Sequence, residues 1–193
     1  MSETSISNQF ENLERRIFAL PRTERSALAA SAANWLIQEH LSLPEERLDG
    51  FVTGWAPIVH LLWQAIIRPS TQVNEALNGK LREYYTGPYC HELGDDAIAG
   101  ADEDAAAAAK YAKEAYCTGN PKAAGSAAIR LLTAAEVRAT EIATGHGEDW
   151  MSERAEERIV SYQQTEIDHL NKVLTALEQA GVNETTLMLL QGP

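Results

Sequence analysis

The chain is short of the residues that would fix it by covalent chemistry. Only two of its 193 residues are cysteine, Cys90 and Cys117, and they form no CxxC pair. Two cysteines do not make a disulfide framework, and the expectation is a cytoplasmic protein with both thiols reduced. Long hydrophobic runs are missing too. The longest, Ile58 to Ile67, is interrupted by His60 and Gln64, far short of the roughly 20 apolar residues a membrane-spanning helix needs. The opening stretch MSETSISNQFENLERR has no apolar core of signal-peptide length. Basic residues are scarce: 16 lysines and arginines face 28 acidic residues, a net charge of -12. Such a surface repels phosphate backbones, which disfavours direct nucleic-acid or anionic-membrane binding. It leaves a basic protein partner, or plain solubility, as the use of the charge.

Alternating strand patterns are absent as well, whereas helical spacing recurs almost throughout. Phe10, Leu13, Ile17 and Leu20 share one face of a first helix that Pro21 ends. A second, near 23–41, sets Leu28, Trp35 and Leu36 among alanines that favour helix and let a neighbour approach closely. Ser42 and Glu45 have the spacing of a capping box, with Pro44 in a first-turn position. The stretch WAPIVHLLWQAII, ending before Pro69, has the most hydrophobic face in the chain and is expected at the centre of the core. Ser70 can cap a shorter helix to about Tyr85, and the segment from Gly87 to Gly100 reads as a loop.

Helix resumes near Asp102. In TGNP, Gly119 ends one helix, Asn120 caps the next and Pro121 takes its first position. The last long helix runs from about Ser152 to Ala180, with Gly181 as its stop. These signals predict an all-α, single-domain bundle of about seven mostly antiparallel helices over 1–193, with 1–6 and 182–193 as tails. No fixed-period repeat suggests a solenoid.

The densest chemistry lies in HELGDDAIAGADEDA. No lysine or arginine occurs between Arg82 and Lys110, while Glu92, Asp95, Asp96, Asp102, Glu103 and Asp104 are all acidic. The last three sit where a helix begins, and carboxylates there cap free N–H groups and suit the positive dipole end. The loop carboxylates have no such reason, and together the six are the expected docking face for a basic partner. Tyr85, Tyr89 and Trp150, the last flanked by Glu148 and Asp149, are the candidate packed anchors. The spacing of the acids does not match a calcium loop.

A metal site is the alternative. Glu166 and His169 have the E-x-x-H spacing on one helix face, and Glu136, Glu141 and His60 could complete a bundle-type ligand set. Only one such motif is present, however, where di-iron bundles use two. There is no G-x-S-x-G and no phosphate-binding G-x-x-x-x-G-K-[ST]. The pairs in PEERLD (Glu45, Glu46, Asp49) and AEERI (Glu156, Glu157) read as helix-start carboxylates. Trp35, Trp55 and Trp63 read as core.

Three stretches resemble a bacterial all-helical family of unknown function typified by YjaG. HLLWQAI looks like its central helix, the AAAAAKYAKEAYCTGNPKAAGSAAIRLL stretch is similar to its alanine-rich helix pair, and IDHLNKVLTALEQAG resembles its final helix. The resemblance implies a compact helical bundle and brings no catalytic motif. The functional expectation is an acidic binding protein, most concretely an immunity or inhibitor protein that neutralises a basic toxin or nuclease. No cofactor is expected. A metal-dependent bundle enzyme or a homo-oligomeric scaffold, such as a homodimer, stands as the alternative.

Overall fold

The computed structural model describes residues 3–45, 48, 50–86, 101–147 and 152–190. Nine helices occur among them: α1 (Glu3–Ala19), α2 (Arg22–Leu41), α3 (Gly50–Thr53), α4 (Ala56–Ile67), α5 (Thr71–Thr86), α6 (Ala101–Thr118), α7 (Pro121–Gly145), α8 (Glu153–Ala180) and α9 (Glu184–Leu190). Seven are long; α3 has four residues and α9 seven. The described residues contain no strand. The fold is all-α, as expected, and no described helix is long and apolar enough to cross a membrane.

Local chemistry sets most helix ends. The Asn120 side chain accepts from the Lys122 N–H with Pro121 at the first position, and Gly119 before it takes φ 73°, a conformation that favours glycine. Ser152 accepts from the Ala155 N–H to start α8, and Ser70 accepts from Val73 to start α5. Ser42 behaves differently from its capping-box reading. Its N–H bonds back to the carbonyls of Gln38 and Glu39 and its hydroxyl donates to Glu39 at 2.6 Å. It therefore ends α2, because the unpaired carbonyls of α2 claim it.

The centre of the bundle is α2, and the strongly apolar α4 lies on a flank. Residues 26–33 of α2 are all buried, so neighbours surround it on every side, whereas α4 leaves Pro57, His60 and Gln64 exposed. Alanine explains the inversion. Ala29 and Ala33 of α2, Ala108 and Ala109 of α6 and Ala124, Ala127 and Ala128 of α7 are completely buried. Side chains this small let three helix backbones close up, and bulky residues are left to fill the wider gaps outside. Trp55 and Trp63 are core as expected; Trp35 is only partly buried.

The C-terminal segment read as a tail contains α9. The Asn183 side chain accepts from the N–H groups of Thr185 and Thr186, an N-cap signal present in NETT. Leu190 is buried and its carbonyl accepts from the Ser31 hydroxyl of α2 at 2.6 Å, which pins the segment to the body.

Candidate functional site

The packing directions determine where the charges gather. Arg22, at the start of α2, donates to the carbonyls of Tyr116 and Cys117 at the end of α6, so these helices run antiparallel. The few residues between α6 and α7 and between α7 and α8 continue the antiparallel order, while α1 runs parallel to α8, with Gln9 bonded to Gln164 and Arg16 to Asn171. The end of α2, the start of α6, the end of α7 and the start of α8 therefore share one pole.

That pole is rich in exposed carboxylates: Glu103 on α6, Glu141 on α7, and Glu153, Glu156 and Glu157 on α8, with Arg154 exposed among the last three. Among the described residues none of the five carboxylates has an ion-pair partner. Helix dipoles account for Glu103, Glu153 and Glu156, which sit in or beside first turns. They do not account for Glu141, near the negative end of α7. Five arginines are meanwhile spent on internal work. Arg16 holds Glu178 at 2.8 Å, Arg22 and Arg25 bond backbone carbonyls, Arg130 holds Asp104 at 2.9 Å, and Arg138 bridges Glu39 and Glu166.

The expected docking residues separate on this frame. Glu92, Asp95, Asp96, Tyr89 and Trp150 lie outside the described residues, as does the side chain of Asp102, whose backbone is in the first turn of α6. Glu103 is exposed at the acidic pole. Asp104 is a correction: it is buried, and its carboxylate faces Arg130 across the α6–α7 seam. Burial pushes its pKa up against the pull of that guanidinium. Such a group is a structural pair and not a contact for a partner. Tyr85 is also displaced from the acidic set. Its ring lies under Lys113, at 5.9 Å, and Lys113 is ten residues beyond Glu103, about 15 Å along α6.

The expected metal ligands do not converge either. Glu166 points to α7, where Arg138 Nη2 bonds its Oε1 at 3.0 Å, and Arg138 Nη1 bonds Glu39 of α2. A guanidinium thus stands where a metal would have to bind. His169, one turn on, turns to α2 and meets the edge of Trp35 at a centroid distance of 4.1 Å. His60 bonds Gln64 on the exposed face of α4, and Glu136 and Glu141 are exposed on α7. Among the described residues no group of three or more His, Cys, Asp or Glu could hold a metal ion.

The sequence reading missed the Glu39–Arg138–Glu166 triad, although a signal was there. Glu166 shares the face of Leu170, Val173 and Leu177 on α8, and Arg138 falls in register with Leu131 and Ala135 on α7. A charge on an apolar face implies a buried partner. Burial raises the Glu166 pKa, Arg138 opposes that, and Glu39 adds to it.

His169 has a testable consequence. Burial, with Lys172 nearby, lowers its pKa to about 4. The folded ring stays neutral where the unfolded one takes a proton, so its stabilisation is present above pH 6.5 and is lost as pH falls towards 4. Full linkage would give about 2 kcal/mol at pH 5, and screening at a partly exposed ring reduces the expected loss to about 1 kcal/mol. His169→Phe should flatten the fall in urea midpoint between pH 7 and pH 5. An unchanged slope would mean that the ring is protonated in the folded protein.

No protein-family model, no curated protein and no solved structure matches the chain.

Proposed function

We infer that this protein binds a basic macromolecule through its acidic pole, and most concretely that it is an immunity or inhibitor protein covering the active site of a basic toxin or nuclease. The observation that supports the reading is the gathering of exposed, unpaired carboxylates from three helices at one end of the bundle, including Glu141 where the α7 dipole disfavours it. A predominantly acidic pole of this kind, in which Arg154 is also exposed, speeds encounter with an oppositely charged partner and suppresses wrong ones. The acidic residues between Tyr89 and Ala101 belong to the same proposal, since that stretch leads into α6 at this pole. So do a cytoplasmic setting and kinship with the YjaG-like family, the latter on its alanine-rich helix pair and long final helix.

The test compares the wild type with the variant Glu103→Gln/Glu141→Gln/Glu153→Gln/Glu157→Gln as tagged baits in extracts of the native cells. At low salt the wild type should retain one basic protein at near-stoichiometric amount, release it as salt rises, and inhibit its activity. The variant should associate at least about tenfold more slowly with no loss of melting temperature. Equal association by both baits, or no basic protein on either, would reject the acidic pole as a docking site.

A further inference from the structure

A second, oppositely charged site lies away from the acidic pole, in a cleft of about 510 Å³ between α5 and α6. Asn78, Leu81, Arg82, Tyr85 and Thr86 line it from α5, and Lys113 closes it from α6. The α5 residues recur at i, i+3, i+4, i+7 and i+8, so one helix face supplies them all. Leu81 is buried and forms an apolar floor. The Tyr85 ring is fixed edge-on against Tyr84 at 5.6 Å and Trp55 at 6.2 Å, yet it stays 41% exposed.

Thr86 donates its hydroxyl to the Arg82 carbonyl at 2.8 Å, and the Lys113 ammonium stands 5.9 Å from the centroid of the Tyr85 ring. Among the described residues, neither the Arg82 guanidinium nor the Lys113 ammonium has a carboxylate within ion-pair distance, and the Asn78 amide has no hydrogen bond. Among the described residues, the acids adjacent in sequence are engaged elsewhere: Glu83 with Lys80 at 2.7 Å, and Glu114 with Asn120 at 2.9 Å. In a chain with twelve more negative than positive charges, two cations that face one cleft with no carboxylate partner among the described residues are a conspicuous departure. The cleft at the start of α2 offers no such opportunity, because its Arg22 is already bonded to the carbonyls of Tyr116 and Cys117.

We propose that the α5–α6 cleft is a binding site for a small molecule that joins a flat ring to a phosphate group, of the nucleoside monophosphate class. Arg82 and Lys113 bind the anionic group, Asn78 adds a hydrogen bond, and the ring lies against Tyr85 over Leu81. The volume falls within the range of small-molecule sites, and the apolar floor with few convergent polar groups is their usual lining. A guanidinium and an ammonium are the side chains suited to such anions, the first as a fork and the second as a point charge.

The experiment titrates the full-length protein with AMP, adenosine and inorganic phosphate as probes, read by calorimetry and by backbone amide shifts. AMP should bind at least about tenfold more tightly than either adenosine or phosphate, with shifts centred on α5 and α6. Arg82→Gln and Lys113→Gln should each weaken AMP about tenfold, while Lys80→Gln, on the same helix but outside the cleft, should change nothing. Tyr85→Leu should weaken AMP and leave phosphate unaffected. The proposal is overturned if AMP binds no better than adenosine, if phosphate alone binds as well as AMP, if the cleft substitutions have no effect, or if no probe binds. Each comparison within the wild type stands even if one variant does not fold.

Discussion

Replacing Arg138 with methionine should lower the unfolding free energy by about 3 kcal/mol at pH 7, near the lower bound for breaking a buried ion pair. The reason is what it leaves behind. Glu166 is 7% exposed, and its second oxygen has no hydrogen-bond partner even with Arg138 in place. Without the guanidinium the whole carboxylate is buried and unpaired, with Glu39 nearby to repel it. Glu39 is more exposed and contributes less. The loss should depend on pH in a definite direction. Removing the cation raises the folded pKa of Glu166 further, so folding is favoured below that pKa and disfavoured as pH rises through it. Urea midpoints of the variant should therefore recover towards pH 5 and fall towards pH 8. The double change Arg138→Met/Glu166→Met should restore at least half of the loss, because an apolar pair of similar volume fills the site without a stranded charge. A single variant as stable as the wild type at pH 8 would show that Glu166 is solvated.

The second large effect belongs to the alanine seam. Ala109→Leu should cost about 3 kcal/mol, at the upper end for added bulk in a packed core. Ala109 is fully buried on α6, in a region where α2 and α7 also present alanine. Three extra carbons there have no gap to enter, and the helices must move apart. The neighbouring exposed position gives the control. Lys110→Leu carries the same side chain on the same helix turn facing outward and should stay within about 0.5 kcal/mol. Equal midpoints for the two variants would mean that the helices do not close on one another as described. The contrast also separates packing from propensity, since leucine is a good helix former in either place.

These two predictions differ in how visible they were beforehand. The alanines of the seam could be read directly, with the expectation that a helix would come close, but which helices met was open. The bulk of WAPIVHLLWQAII pointed to a central position, and the structure puts that helix on a flank. Hydrophobicity marks what must be covered, and small size marks what can be approached. Asp104 shows the same limit for charge. Its place at a helix start accounted for the residue type, yet its carboxylate turns inward to an arginine 26 residues away. Tyr85 adjoins the acidic stretch in sequence, but α5 delivers it to Lys113 and away from Glu103.

What the sequence determined alone is what neighbouring residues decide among themselves. The all-α class follows from periodicity. The starts at Asn120–Pro121 and Ser152 and the stop at Gly181 follow from caps that span only two to four residues. Net charge follows from composition. Only the tertiary structure decided where that charge would face. Arg138 meets Glu166 across 28 residues and Glu39 across 99, and no local pattern encodes such pairings. The antiparallel stacking of α2, α6, α7 and α8 gathers exposed carboxylates at one pole, and among the described residues leaves Arg82 and Lys113 without a carboxylate partner on the α5–α6 face. Partners this remote are brought together by the burial of apolar surface over the whole bundle, a cooperative property that no single stretch of the chain carries.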